Sequence, residues 1–395
     1  MSLINFYANK DPKKLPRFFY RTFFSQVKTN NLSFAQALDI FSKSVDNFDH
    51  PDFHKFFYNI PDYFKQHFSE IEINKLEMVF NKKSKLQERI KNTIFPHVSD
   101  EFSLSSNFFK KCFNSNYPKI FSNDKFFMLG SCFARNFSIY LKRKGHEVEV
   151  LNQFEDFNSL GSNAIFLKFA NMSNAEIENE VLLYLNNIHD KKHKEKICFE
   201  ILNSIDNAKK QIKNATKIIF TLGNVIDFYD ESNNLLPKFI FMGSSEDVNS
   251  RALVAKKMKE FGSVMRISNF SECLNYLNII TSSIRLINQK ADIIFSLSPV
   301  PIDSIIGIKH KNMISSIETD CISKSILRAV FYEFTTNRDL SAEKIYYLPS
   351  YEIVRWISPL LPFPNFGNED AASRHVSNIV INSICEYFYN EATSS

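Results

Sequence analysis

Glycine is scarce in this chain, with 8 in 395 residues. No GxGxxG and no GxxxxGK[ST] pattern occurs, so the two glycine-rich phosphate cradles are excluded, and a nucleotide-binding α/β protein loses its main support. The six cysteines, Cys112, Cys132, Cys198, Cys273, Cys321 and Cys385, include no CxxC pair, which removes a zinc knuckle; no metal site is expected. Spread without a framework, they read as reduced thiols of a cytosolic protein. No apolar run approaches the roughly 18 residues of a membrane span. The opening MSLINFYANKDPKK has no apolar core of a secretory signal. The expectation is a soluble, cytoplasmic protein without an integral membrane segment. Basic residues exceed acidic ones by only five, and they are scattered in DPKKLPRFFYR, NKKSKLQERIK and HDKKHKEK. Such runs read as solvated faces, so no nucleic-acid partner is expected.

What is present is a globular composition, 44% hydrophobic and 23% charged. Phenylalanine appears 41 times and tryptophan once, a skew that reads as coding bias rather than chemistry. The length suggests one large domain plus an extension, or two domains. Residues 1–120 read as a helical N-terminal region. SFAQALDIFSKSVDNF has Ser33 as N-cap and Phe34, Ala37, Leu38 and Phe41 at helical spacing. Residues 121–395 change texture, with short apolar runs alternating with amphipathic stretches. KFFMLG (125–130), EVEVL (147–151), KIIFTLG (217–223), DIIFSLSPVP (292–301) and IYYLPS (345–350) read as strands, with helical patterns between them. This alternation implies an α/β fold whose mostly parallel sheet is covered by helices on both faces. Function in such sheets gathers at the carboxyl ends of the strands.

Those ends hold the candidate residues. Gly130-Ser131-Cys132 closes the first strand and opens a helix. Free N–H groups at a helix N-terminus lower a thiol pKa and can stabilise an oxyanion, so the turn suits a nucleophile. The alternative is a tight junction that needs small residues. Gly223-Asn224 closes the third strand, and Asn158 and Gly161 lie in NSLGSN. Each can supply an oxyanion donor, or simply form a turn. Of nine histidines, His375 alone sits in a late loop with an acid, Asp370, nearby. A base of this kind needs a carboxylate to fix its tautomer. The alternative pairs Asp370 with Arg374 and leaves His375 as a helix cap. In CISKSILRAVFYEF, Cys321 stands where a Ser-x-x-Lys motif needs serine. Lys324 and Arg328 either bind a substrate anion or lie on a solvated helix face.

LGSCFARNF resembles the signature of the GSCFA family, which takes its name from the five letters Gly130 to Ala134. FTLGNVIDFYD, IIFSLSPVPI, SKSILRAVFYEF and YLPSYEIV are similar to further blocks of that family, in order, over roughly residues 120–380. KLPRFFYRTFF resembles the lead-in before the signature. The resemblance implies kinship with the SGNH or GDSL hydrolases. It therefore implies a flavodoxin-like three-layer α/β/α sandwich and an esterase or acyltransferase mechanism, often on carbohydrate. Strand register lays the relatives' nucleophile on Cys132, with Ser131 in place of their aspartate. A cysteine favours acyl transfer through a thioester, a serine ester hydrolysis. Two departures stand out. Asn224 comes one place early for a Gly-x-Asn-Asp block, and Asp370 and His375 are five apart where Asp-x-x-His is usual. The implied partner is a small-molecule or glycan substrate, with no cofactor beyond an acyl donor such as acyl-CoA. The contrasting expectation is a non-catalytic carbohydrate-binding or scaffold protein on the same fold. The oligomeric state is left open.

Overall fold

The structure is a computed structural model. It describes Ser69 and residues 104–113, 116–151, 159–185, 191–242, 256, 258–302, 305, 315–361, 365–367 and 374–393. The helical reading of residues 1–120 therefore lies almost wholly outside the described residues. In chain order the elements begin α1 (Ser106–Cys112), β1 (Lys125–Gly130), α2 (Cys132–Arg143), β2 (Glu147–Val150), α3 (Leu160–Phe169), α4 (Asn174–Tyr184) and α5 (Lys191–Asn214). Next come β3 (Lys217–Leu222), β4 (Ile226–Tyr229), β5 (Leu235–Leu236), α6 (Lys238–Met242), β6 (Val264–Ile267) and α7 (Phe270–Ile287). The chain continues through β7 (Asp292–Leu297), α8 (Ser316–Thr336) and β8 (Ile345–Leu348) to α9 (Asn378–Thr393). Between β8 and α9 lie one helical turn at Ser350–Glu352 and a π-helical turn at Ile353–Ile357.

Five strands form one parallel sheet in the order β2-β1-β3-β7-β8. Counted along the chain, that is the doubly wound order 2-1-3-4-5 of flavodoxin-like sheets. The expected α/β fold with a mostly parallel sheet is what the chain adopts. The three central strands, β1, β3 and β7, are apolar on both faces because both faces are covered. Phe127 and Leu129 of β1, Ile218, Phe220 and Leu222 of β3, and Ile293, Phe295 and Leu297 of β7 join one core with α3, α5, α7 and α8. The alternate residues Phe126, Met128, Ile219 and Ile294 are equally buried. By the period-two alternation of a strand they face the opposite side. There α2 packs on β1 and α9 packs on α2.

Two elements escape the sequence reading. NSLGSN is not a plain turn, because Gly161 lies in the first turn of α3, capped by Ser159. A second, antiparallel sheet, β5-β4-β6, branches off immediately after β3. It is held by two ladders, one of them two residues long. Arg266 of β6 lies over the ring of Tyr229 of β4, 3.4 Å from its centroid, and is paired with Glu272.

The amino edge of the large sheet is closed by charge. Buried Lys217 sits between Asp292 (2.7 Å) and Asp124 (3.4 Å), and Asp124 also accepts from Thr216. The carboxyl edge lies at the other end of the strands. Its topological switch point lies between β1 and β3, where successive connections leave in opposite directions.

Candidate active site

The β1–α2 junction borders that switch point. Gly130 has a φ of +109°, and a Cβ there would lie 2.1 Å from the Thr221 carbonyl oxygen of β3. Only glycine fits. This close approach draws the Ser131 N–H to the same carbonyl at 3.3 Å. Ser131 is the N-cap of α2; it is buried, and its Oγ accepts from the Phe133 N–H at 3.4 Å. Cys132 is the first residue of the helix. Its side chain lies outside the described part of the structure. The two candidates therefore differ in kind. Ser131 is a cap with its hydroxyl turned to its own helix, and Cys132 stands at the positive end of the helix dipole.

Across the switch point, the backbone of Gly223-Asn224-Val225 is held on every side. The Lys324 ammonium donates to the Gly223 carbonyl, and the Ser323 hydroxyl accepts from the Val225 N–H at 3.0 Å. The Asn224 carbonyl accepts from the Leu160 N–H at 3.0 Å, beside a bridge between Ser159 and Asn224. The Asn224 Oδ1 accepts from the Ile226 N–H at 2.9 Å, so the Nδ2 end of the amide is turned the other way. Lys324 is thus no solvated residue. It is buried at the carboxyl end of β3. Arg328, in contrast, is 43% exposed and pairs with Glu352 at 2.7 Å over the Tyr347 ring.

Gly161 has a different partner from the one its motif suggests. Its N–H and that of Ser162 donate to the two oxygens of Asp227, at 3.3 and 3.2 Å. A Cβ on Gly161 would sit 2.8 Å from that carboxyl group. Ser268 donates to it at 2.9 Å. Burial pushes the Asp227 carboxyl above the usual range, and the hydrogen bonds from Ser159, Ser268, Ser162 and Gly161 oppose this without cancelling it. Asp227 thereby fastens the start of α3, β4 and the β6–α7 turn together. Asn158 lies outside the described residues.

His375 comes just before α9. Its carbonyl accepts from the Gly367 N–H at 2.9 Å, and Phe366 and Val376 form an antiparallel bridge. Phe137 of α2 and Phe388 of α9 meet edge to face at 5.3 Å, and Tyr140 meets Tyr389 at 6.1 Å. These contacts advance the same way along both helices, so both N-termini open at the carboxyl edge. At 1.5 Å per residue, about 15 Å of helix separates Phe388 from Asn378, and about 7.5 Å separates Phe137 from Cys132. For axes near parallel, α9 then overhangs α2 by roughly 7 Å. His375 precedes α9, the helix that packs on α2, and Cys132 opens α2. Asp370 lies outside the described residues.

Sequence reasoning named Arg374 but missed the Asp320–Arg355 pair near it. Asp320 of α8 is buried, pairs with Arg355 at 2.6 Å and accepts from the Ile302 N–H at 3.1 Å. Arg374 donates to the Pro301 carbonyl at 3.5 Å. Ser323 and Asp227 were also missed. Ser323 adjoins Lys324 in a block the sequence did flag. Asp227 carried its own signal, a lone carboxylate inside an apolar strand. Among the described residues no cluster of His, Cys, Asp and Glu could hold a metal ion. No described helix is long and apolar enough to cross a membrane.

No curated protein and no solved structure matches the chain. A family model, that of the GSCFA family, matches residues 125–388, from the first strand of the large sheet to the last helix. Glycine at a position that admits nothing larger, a capping serine and a helix-opening cysteine are the structural content of its signature, and the chain belongs to the GSCFA family.

Proposed function

We propose that this protein is an enzyme of acyl transfer, an esterase or acyltransferase of the SGNH-like kind, acting on an acylated carbohydrate or glycan precursor. Cys132 is the nucleophile and His375 the general base. The observation that carries this reading is the shared edge of α2 and α9. The α9 helix packs on α2 through Phe137 and Phe388; α2 begins with Cys132, and His375 comes three residues before α9.

The chemistry follows from the positions. His375 takes the thiol proton, and the helix N-terminus favours the resulting thiolate. The sulfur attacks the ester carbonyl, and the oxyanion is held by N–H groups of the first turn of α2 and by Asn224 Nδ2. Collapse breaks the C–O bond, and His375 returns its proton to the departing alcohol. Water or a second alcohol then takes the acyl group from the thioester. The residues around Asn224 serve this step by immobility, since Lys324, Ser323 and Leu160 leave its backbone no freedom. Gly161 contributes by making room for Asp227. Where the carbohydrate is instead the acceptor, an acyl donor such as acyl-CoA acylates the sulfur in the first step, its thiol leaves, and the sugar hydroxyl takes the acyl group. The five described cysteines are free thiols, which fits work in the cytoplasm.

The test is covalent labelling with p-nitrophenyl acetate or an electrophilic thiol probe, followed by peptide mass analysis. The label is expected on Cys132. Cys132→Ala abolishes it, His375→Ala slows it by about 100-fold or more, and Ser131→Ala leaves it in place. Label on Ser131 reassigns the nucleophile. No label on either residue, with His375→Ala unchanged, leaves a non-catalytic binding protein.

A further inference from the structure

The Asp320–Arg355 pair joins the start of α8 to the π-helical turn Ile353–Ile357, a rare geometry kept mostly at functional sites. The Asp320 carboxylate has two tasks. Its Oδ2 accepts from Arg355 at 2.6 Å, and its Oδ1 accepts from the Ile302 N–H at 3.1 Å. The carbonyl of the same peptide group, that of Pro301, accepts from Arg374 at 3.5 Å. One peptide after β7 is thus held between a carboxylate at its N–H and a guanidinium at its C=O. That second guanidinium belongs to the residue before His375.

A second route leads from the same pair to the same histidine. The Arg355 guanidinium lies 5.9 Å from the centre of the Phe366 ring, within the range of cation–π attraction. Phe366 is bridged antiparallel to Val376. On either side of that bridge the Gly367 N–H donates to the His375 carbonyl at 2.9 Å and the Ser377 N–H to the Asn365 carbonyl at 2.8 Å. His375 therefore lies on a two-stranded clip. Phe366 on one strand contacts Arg355, and Arg374 on the other reaches the peptide that Asp320 holds. A buried ion pair is a poor device for stability alone, because desolvation offsets much of its attraction and an apolar pair of similar volume does as well. Its distinctive property is direction, since a planar guanidinium fixes the partners on its edge and on its face.

We propose that Asp320 and Arg355 are the positioning residues of His375: their ion pair anchors both strands of the clip that carries it. Neither residue touches the substrate. Their meaning for catalysis rests on the acyl-transfer reading, in which a small displacement of the base costs rate.

The test compares the full chain with two variants. Asp320→Asn combined with Arg355→Met removes the pair, leaves no uncompensated buried charge and keeps an acceptor for the Ile302 N–H. Arg374→Gln cuts only the link to Pro301, and it carries the test alone should the double variant not fold. The first readout is amide hydrogen exchange, which needs no catalysis. Peptides covering residues 365–377 are expected to exchange about tenfold faster or more, while peptides from α3 and α5 exchange as in the parent. The second is acylation of Cys132 by p-nitrophenyl acetate. At matched folded fraction its saturating rate is expected to fall by about tenfold or more, with the half-saturating ester concentration unchanged. A merely stabilising pair would move neither readout in this way. The inference is overturned if exchange at 365–377 is unchanged, if it rises equally throughout the chain, or if the variants acylate at the parent's rate. A parent that is not acylated at Cys132, with the exchange change confined to 365–377, loses the catalytic reading and keeps the anchored clip.

Discussion

A methyl group on Gly130 would meet the Thr221 carbonyl at 2.1 Å, on a backbone whose φ of +109° already disfavours side chains. Gly130→Ala is therefore expected to cost about 3 kcal/mol or more, the backbone strain plus the displacement of β3. The denaturant midpoint measures it, and a shift worth less than about 1 kcal/mol would show that the junction can relax. Asp227 carries a pH signature. Its folded pKa is raised, chiefly by burial. From the ordinary carboxylate value of about 4 up to the raised value, the folded state holds more protons than the unfolded state. This group's contribution to stability is thus full at low pH, falls as pH rises through that window and is level above it. Asp227→Asn removes the ionisation, so the difference in denaturant midpoint between parent and variant should grow in the variant's favour across that window. A difference that stays constant from about pH 4 to pH 8 counts against a raised Asp227.

At the scale of elements, strands were legible and their partners were not. The β1, β3 and β7 runs are apolar on both faces because helices cover both, and a run of that kind shows in sequence without help from periodicity. The α2 helix was legible for the opposite reason: one apolar side, a small cap and a stop at Gly145. The α3 helix hid because LGSNAIFLKF is buried nearly all round and begins with a turn-like glycine. The β5 and β6 strands hid because one is two residues long and the other only half-buried. In the site, Gly130-Ser131-Cys132 announced itself through local geometry. The clamp on Asn224 did not, because Ser323 and Val225 are 98 residues apart in sequence. That clamp makes its own prediction. Ser323→Ala leaves the Val225 N–H buried and unpaired, at a cost of about 1–3 kcal/mol. If Asn224 holds the oxyanion, labelling of Cys132 by p-nitrophenyl acetate should slow by about tenfold or more in protein that is still folded. Unchanged labelling in a destabilised variant would leave Ser323 a purely structural residue.

At the scale of the molecule, the two faces of the sheet have different work. The α3, α5, α7 and α8 face holds the larger apolar core and fixes the turn after β3. On the proposed function, the α2 and α9 face sets the register between nucleophile and base. That register is written in aromatic contacts well below the site: Phe137 with Phe388, Tyr140 with Tyr389, His146 with Tyr389, and Phe109 with Tyr387. A substitution here should act on catalysis through position as well as on stability. Phe388→Leu and Phe239→Leu make the comparison. Phe388 lies between the two helices, whereas Phe239 packs against Phe166 and Phe169 on the opposite face. Both are buried, and each loss should cost about 1–3 kcal/mol. Only Phe388→Leu shifts the overhang of α9 on α2, so only it should slow labelling of Cys132 in the folded protein. Misplacement by an ångström can cost about 100-fold in rate. Equal labelling rates in the two variants, at matched folded fraction, would mean that α9 does not set the distance from His375 to Cys132, and the base would have to be sought elsewhere on the carboxyl edge.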